Sequence, residues 1–574
     1  MFDRKLLRPG IKRLLCVAVL LAAIVITAVT SWTVSTTLLD SDTSSELILG
    51  EKLAREGGIL SSSWFYSTEL QVIDCQIIYA FFFRLFSDWS LVRFLSSFVM
   101  QLMMLGSFGF LARQARIPFN RFCLAGAALL LPFSVTYGRI VLFHNYYAFH
   151  VILAMLTVGL YLGIVRRAGE GKFWKRWGFW VCLAAEAAVS FCAGLNGVRQ
   201  LMVCTVPLLG SAVLCAMLAE RGKTPEEQNR LRAALPELGW AALPLLFSGL
   251  GYLYNMKVLS GIYSYTDYSS QYVSLGGLGN LSDIFRNFLI TLGFHDYCEM
   301  FTLHGLLGIG SFLVWLLTLL LGFHTLRNTR DADARFLCMF MLMVQLVMVC
   351  VFMLLALDGF RMELYFLPAT IWVLPAMAKA DIRPESGIVS SDRKLRFPEK
   401  LLAGDATLSV HGLIATLALA LLLANGLYYT GFFRDPAANG SLIEYNGLSY
   451  GETQTVKALQ PAADYLKENG YTLVYADYWD AAVITELTDG QVRSVPVILG
   501  TRKHPLKYSD WLGDRTLRDP EFAAQQKAAI LANFDISSSL EEKNPYGAEE
   551  TSSFGGYSLY NLPDPAALAS DLWD

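Results

Sequence analysis

The chain has 574 residues, of which 54% are hydrophobic, 13% aromatic and only 17% charged, and its mean hydropathy is +0.42. A soluble domain carries roughly 25% charged residues, so this much apolar surface cannot be hidden in one water-soluble core. The formal net charge of −3, with no long block of like charge, excludes nucleic acid as a partner.

A membrane-spanning helix needs about 20 apolar residues, because its backbone must satisfy its own hydrogen bonds in hydrocarbon. Such runs fall near 13–36, 89–112, 120–138, 146–166, 177–195, 200–219, 235–256, 305–325, 336–356, 360–378 and 407–430. They predict an α-helical polytopic membrane protein with about eleven transmembrane helices. The first run follows Arg4, Lys5, Arg8, Lys12 and Arg13. It resembles a signal peptide but is too long and lacks a small-x-small cleavage site before Trp32, so it reads as an uncleaved span. With the N-terminus cytoplasmic, loops 113–121, 166–176, 221–232, 327–335 and 379–400 fall inside, each with several Lys or Arg, as the positive-inside rule requires. Loops 37–88, 139–145, 196–199, 257–304 and 357–359 fall outside.

An odd number of spans leaves residues 431–574 outside the cytoplasm, after a membrane module of residues 1–430. In this tail a helical pattern at 452–469 precedes a strand at 471–476, a helix at 479–487 and a strand at 492–499. That alternation predicts a small C-terminal extracytoplasmic α/β domain. Asp477, Asp480 and Glu486 read there as an ordinary scatter of acids. No internal repeat of the kind many transporters carry is visible. Of the cysteines, only Cys75 and Cys298 lie outside apolar runs, and no CxxC pair has metal spacing, so neither zinc nor a disulfide framework is expected.

Chemistry concentrates in the first external loop, Leu38 to Glu46, where two carboxylates, Asp40 and Asp42, stand at the exit of the first span. Residues 44–55 suit a helix lying along the interface, stopped by Gly57-Gly58. Trp64 to Leu70 follows, then a second amphipathic stretch at 72–86 with Asp74 and Arg84 among aromatics. The acids have an alternative use, since Asp42 or Ser45 could cap the next helix.

This segment resembles membrane glycosyltransferases of the GT-C fold, the group of bacterial aminoarabinose transferase and the protein O-mannosyltransferases. The family's essential Asp in the first external loop, before an interfacial helix ending in Gly, is matched by Asp42 and Ala54-Arg55-Glu56-Gly57. Glu69 is the nearest match to a second acid later in that loop. Tyr137 to Asn145 resembles the external turn between the third and fourth spans, with His144 or Asn145 where Asp is common. Gly194 to Gln200 resembles a short external turn with a basic residue, Arg199 standing for the usual Lys. Arg361 to Pro368, including Tyr365, resembles a late motif opening a span near the lipid carrier.

The resemblance implies a GT-C-like catalytic module that moves a sugar, with inversion, from a polyprenyl-phosphate donor to a cell-envelope glycan, lipid or protein acceptor. Asp42 is then the general base, Glu69 its helper or a metal ligand, and Asp40 a further catalytic candidate. Arg199, Arg361 and Arg139 would bind the donor phosphate, while His144, Asn145 and Tyr365 line the substrate pocket. Asp42 with Glu69 is also a pair that a hard divalent cation would accept, although nothing in the sequence requires one. The implied setting is a bacterial plasma membrane. Glu186, inside a predicted span, is a second expectation, either paired with Arg199 or functional in its own right. Tyr263, Tyr265, Tyr268 and Tyr272 suit either a cover for the site or an interfacial aromatic belt. The rival class is a transporter or flippase of lipid-linked sugars, against which stands the placing of the acids outside the first span rather than at mid-membrane.

Overall fold

The computed structural model describes residues 9–68, 70–219, 230–265, 281–294, 300–329, 331–355, 359–380, 410–434, 451–501 and 504–572. Among them, eight helices are long and apolar enough to cross a membrane: Gly10–Thr37, Trp89–Gln114, Ala148–Gly169, Trp177–Gly194, Leu201–Leu218, Leu303–Arg327, Ala332–Leu354 and Leu413–Arg434. A ninth is reached if Phe119–Leu130 and Val135–Phe143, which meet at 85°, form one broken span. The expected eleven are thus not all found by length and composition. The run near 235–256 is helical as Arg230–Lys257, but Pro236 and Pro244 lie inside it and Glu237 and Asn255 dilute its apolar character. The run near 360–378 is split into Gly359–Thr370 and Val373–Lys379, each too short to span alone.

The 85° break replaces the straight helix expected at 120–138. Leu131 ends the first arm with φ −94° and ψ 142°, the extended backbone that Pro132 imposes on the residue before it. The second arm turns inward and carries Arg139 toward the end of the first span, and His144 follows it.

Helix α1 (Pro9–Thr37) hands over to α2 (Ser41–Glu56) through a three-residue corner. Asp40, rather than Asp42 or Ser45, caps α2: its side chain accepts from Thr43 N at 2.8 Å, and Thr43 Oγ1 accepts from Asp40 N at 3.4 Å. This reciprocal capping box satisfies two orphan donors at once. Gly57, at φ 80°, ends the helix in the left-handed region that glycine enters without steric cost. Strand β1 (Trp64–Tyr66) follows, then α3 (Cys75–Phe83), shorter than the expected 72–86, and α4 (Trp89–Gln114). A Cβ on Gly50 would lie 2.3 Å from Tyr79 Cβ, so α2 and α3 touch at a point that admits no side chain.

The C-terminal region pairs the helix Gly451–Glu468 with a six-stranded mixed sheet. Strand β2 (Leu473–Asp477) runs parallel to β3 (Arg493–Leu499) and β4 (Ala528–Ala532), while the three outer strands pair antiparallel. β2 and β4 are almost wholly apolar, as strands covered on both faces must be. The expected helix and strand alternation over 452–499 is present, extended by four further strands of this sheet that the pattern did not reveal.

This region is stitched to the first external loop. Gly513–Asp514 pairs antiparallel with β1, and Lys52 Nζ lies 2.9 Å from Asp514 Oδ2. The helix Tyr478–Leu487 packs on α2, with Ala482 joining the hydrophobic core of the membrane module and Leu39 joining the core of the C-terminal sheet.

Candidate active site

Two carboxylates that are neighbours in sequence have opposite surroundings. Asp40 is 8% exposed. Its Oδ1 accepts from Thr43 N, Thr43 Oγ1 at 2.7 Å and Tyr146 OH at 3.1 Å, and its Oδ2 meets Arg139 Nη2 at 3.1 Å and His144 Nδ1 at 3.3 Å. Burial works against its charge, but His144, the Arg139 guanidinium and the Thr43 hydrogen bonds outweigh it and hold the carboxyl well below its ordinary range. Three hydrogen bonds thus converge on Oδ1 and one, from Arg139, on Oδ2. His144, pushed down to about 4 chiefly by burial, stays neutral at pH 7.

Asp42, two residues on, is half-buried, as is Glu46 one turn later, while the other residues from Ser41 to Gly50 are buried. Desolvation first, and the charge of Asp40 second, push Asp42 up to about 6. Tyr478 OH donates to Asp42 Oδ1, and the Trp511 side chain also hydrogen-bonds it. The backbone carbonyl of Tyr478 in turn accepts from Ser41 Oγ. Glu46 is pushed up to about 7 by burial and then by Asp42. It also acts on Asp74, a buried carboxyl that caps α3 through Cys75 N at 2.8 Å and is raised well above its usual range, by burial first.

Arg199 completes this series, since its charge acts on Asp74 in the opposite sense. The turn that carries it is fixed by side chains standing in for a strand partner. Asn196 Oδ1 accepts from Val72 N at 3.1 Å and Ile73 N at 2.9 Å, and Asn255 Nδ2 donates to Leu70 O at 2.7 Å. Arg199 donates to Tyr147 OH at 2.7 Å and Tyr365 OH at 3.5 Å, and its guanidinium lies 5.3 Å and 4.8 Å from the two ring centres. A guanidinium held between two phenols keeps its planar fork in one orientation, the geometry that bidentate phosphate recognition uses.

The remaining expected residues are distributed differently. Arg139 faces Asp40 rather than standing with Arg199. Asn145 is fully buried at φ 64° and donates to Ser97 Oγ at 2.7 Å, a turn role that Asn fills because it tolerates left-handed backbone. Tyr365 does stand with Arg199. Arg361 lies in the helix Gly359–Thr370, with its side chain outside the described residues, and Glu69, Tyr268 and Tyr272 also lie outside them. Glu186 is buried beside Ser190, which donates to it at 3.1 Å, rather than paired with Arg199. Among the described residues no group of three His, Cys, Asp or Glu side chains is arranged to hold a metal ion.

Four residues beyond the expected set enter the site: Glu46, Asp74, Tyr147 and Tyr478. Glu46 was legible as the i+4 neighbour of Asp42 on a helix face. Tyr478, 436 residues from Asp42, carried no local signal. Nor did Glu486, which is no ordinary surface acid: it forms a buried ion pair with Arg93 and accepts from Ser44 Oγ at 2.6 Å.

No family model matches this chain, and no curated protein matches it. Among solved structures, it is similar to the crystal structure of ArnT from Cupriavidus metallidurans bound to undecaprenyl phosphate, at 12% identity and a TM-score of 0.48, with 94% of this chain and 97% of that one covered.

Proposed function

We propose that this chain is a membrane glycosyltransferase that moves a sugar from a polyprenyl-phosphate donor to an acceptor hydroxyl outside the cytoplasm, with Asp42 as general base. The observation that carries the reading is the contrast between the two aspartates. Asp40 is buried and held by Thr43, Tyr146 and Arg139, whereas Asp42 is half-buried and tuned close to the working pH, as a general base must be. At pH 7 Asp42 is mostly ionised. It takes the acceptor proton as the acceptor oxygen forms its bond to the anomeric carbon, and the bond from that carbon to the phosphate oxygen breaks with inversion. Arg199, with its fork set by Tyr147 and Tyr365, neutralises the departing polyprenyl phosphate. Asp40 binds Arg139 and fixes the start of α2, so it positions Asp42 rather than reacting.

The test compares wild type and Asp42→Asn in nanodiscs loaded with polyprenyl-phosphate sugars. Consumption of the donor by wild type that collapses in the variant, with lipid binding retained, supports the reading. Donor left intact but moved between leaflets of a vesicle overturns it in favour of a flippase.

A further inference from the structure

Between α2 and the C-terminal sheet lies a cleft of about 270 Å³, just under the roughly 300 Å³ at which pockets for drug-sized ligands begin. Its volume suits a single small ring. One wall is a face of α2, with Ser41, Ser45 and Lys52, and the other comes from the C-terminal region, with Tyr478, Thr485 and Ser494. Trp64 and Phe522 add aromatic surface.

Three polar groups along this cleft have hydrogen bonds to give. Trp64 is 1% exposed, and its Nε1 has no partner among the described residues. Ser45, also 1% exposed, likewise finds no partner there for its hydroxyl. Ser494 Oγ accepts from Thr485 at 2.8 Å, which leaves its own proton to donate. Buried polar groups in native proteins are almost always paired, so such a set is what a hydroxylated ligand would satisfy. Charge narrows the class further. Lys52 is matched by Asp514 at 2.9 Å and Glu56 at 3.0 Å, and Arg55 and Arg493 share Glu51 at 2.7 Å and 3.2 Å, so these cations already face as many carboxylates and the cleft offers no surplus cation to an anion. Aromatic faces, unmet donors and balanced charge together describe a neutral sugar ring.

We infer that this cleft is a saccharide subsite, and, resting on the transferase reading, that it holds one residue of a glycan acceptor. Tyr478 lines the cleft and donates to Asp42, so a ring seated there is one side chain away from the base. The acceptor is then a chain of neutral sugars, and the hydroxyl that Asp42 deprotonates belongs to the neighbouring residue.

Binding is read without turnover, by saturation-transfer NMR on the full chain in nanodiscs. The probes are the methyl glycosides of glucose, galactose, mannose and N-acetylglucosamine, with glucuronate and inorganic phosphate as charged contrasts. We expect saturable binding of at least one neutral glycoside. It should weaken about fivefold in Ser45→Ala and in Trp64→Phe, each of which removes one neutral hydrogen-bond donor, and be unchanged in Phe534→Ala, an exposed residue that does not line the cleft. Ala482→Leu, which fills the cleft, should abolish it. No binding by any neutral probe, binding indifferent to all three cleft variants, or binding of only glucuronate or phosphate overturns the subsite. Because none of these readouts needs a donor, a wild type that leaves every donor intact, or an Asp42→Asn variant that consumes donor as fast as wild type, would overturn the transferase reading separately and leave the saccharide site standing.

Discussion

The Arg93–Glu486 pair should decide whether the C-terminal region stays on the membrane module. Both side chains are 4% exposed. Arg93 donates through Nε to Glu486 Oε1 at 2.5 Å and through a second nitrogen to Oε2, and Ser44 donates to Oε2 as well. Glu486→Ala strands a buried guanidinium, and removing one partner of such a pair costs about 3–5 kcal/mol. If that loss falls on docking, the undocked population rises roughly 140- to 4,000-fold. Hydrogen exchange over residues 478–487 of the full chain would report it, and limited proteolysis would report release of the sheet. Donor consumption should fall too, because Tyr478 leaves Asp42 along with its helix. Arg93→Met combined with Glu486→Gln removes the stranded charge and keeps an acceptor for Ser44, so it should restore most of the protection. Wild-type exchange in Glu486→Ala, or a double variant as impaired as the single one, would refute this account of docking.

Further consequences follow at the site and its supports. Transfer should decline as pH falls through about 6, where Asp42 takes up its proton. Tyr478→Phe, which removes a hydrogen bond to the ionised form, should move that limb upward by about half a unit to one unit, as a pH–rate profile would reveal. Arg199→Ala should lower transfer roughly 10- to 150-fold, the range for a charge-assisted hydrogen bond, with Arg199→Lys recovering part of it as a single point charge in single-turnover kinetics. Gly50→Val should destabilise the contact of α2 with α3 by about 1–3 kcal/mol through overpacking, seen as a lower melting temperature.

Much of the scaffold was legible because it is written in local chemistry. Apolar runs marked most of the spans, and Gly57 marked the end of α2 within a residue. Pro132 lies inside the apolar run read as one span near 120–138, and the bend it imposes is what brings Arg139 to Asp40. What stayed hidden depends on distance along the chain. Arg93 and Glu486 are 393 residues apart, and no periodicity links them. Asn196 is a turn residue by composition and becomes a clamp on Val72 and Ile73 only once the chain has folded. The site is therefore readable as a segment, the first external loop, and unreadable as an assembly.

The distinction between Asp40 and Asp42 shows why, and it yields a test of opposite signs. Both are aspartates just past a membrane helix, and only the position of the cap separates them. Asp40 lies at the N-cap, where backbone N–H, Thr43 and Arg139 converge, so its folded-state pKa is depressed. The stability it contributes is present above the unfolded pKa of about 3.9 and is lost as pH falls through the lower folded value. Asp42 lies inside the first turn, where burial and the charge of Asp40 raise it to about 6. Its ionisation therefore costs stability as pH rises from about 4 through 6, by up to about 3 kcal/mol at 1.36 kcal/mol per unit. At pH 7.5, Asp42→Asn should raise the melting temperature while abolishing transfer, the trade expected of a residue kept for chemistry rather than for folding. Asp40→Asn should lower it, because the ion pair of Arg139 with Asp40 is lost. Melting shifts of the same sign in the two variants would mean that the two carboxylates do not have the separate roles assigned to them.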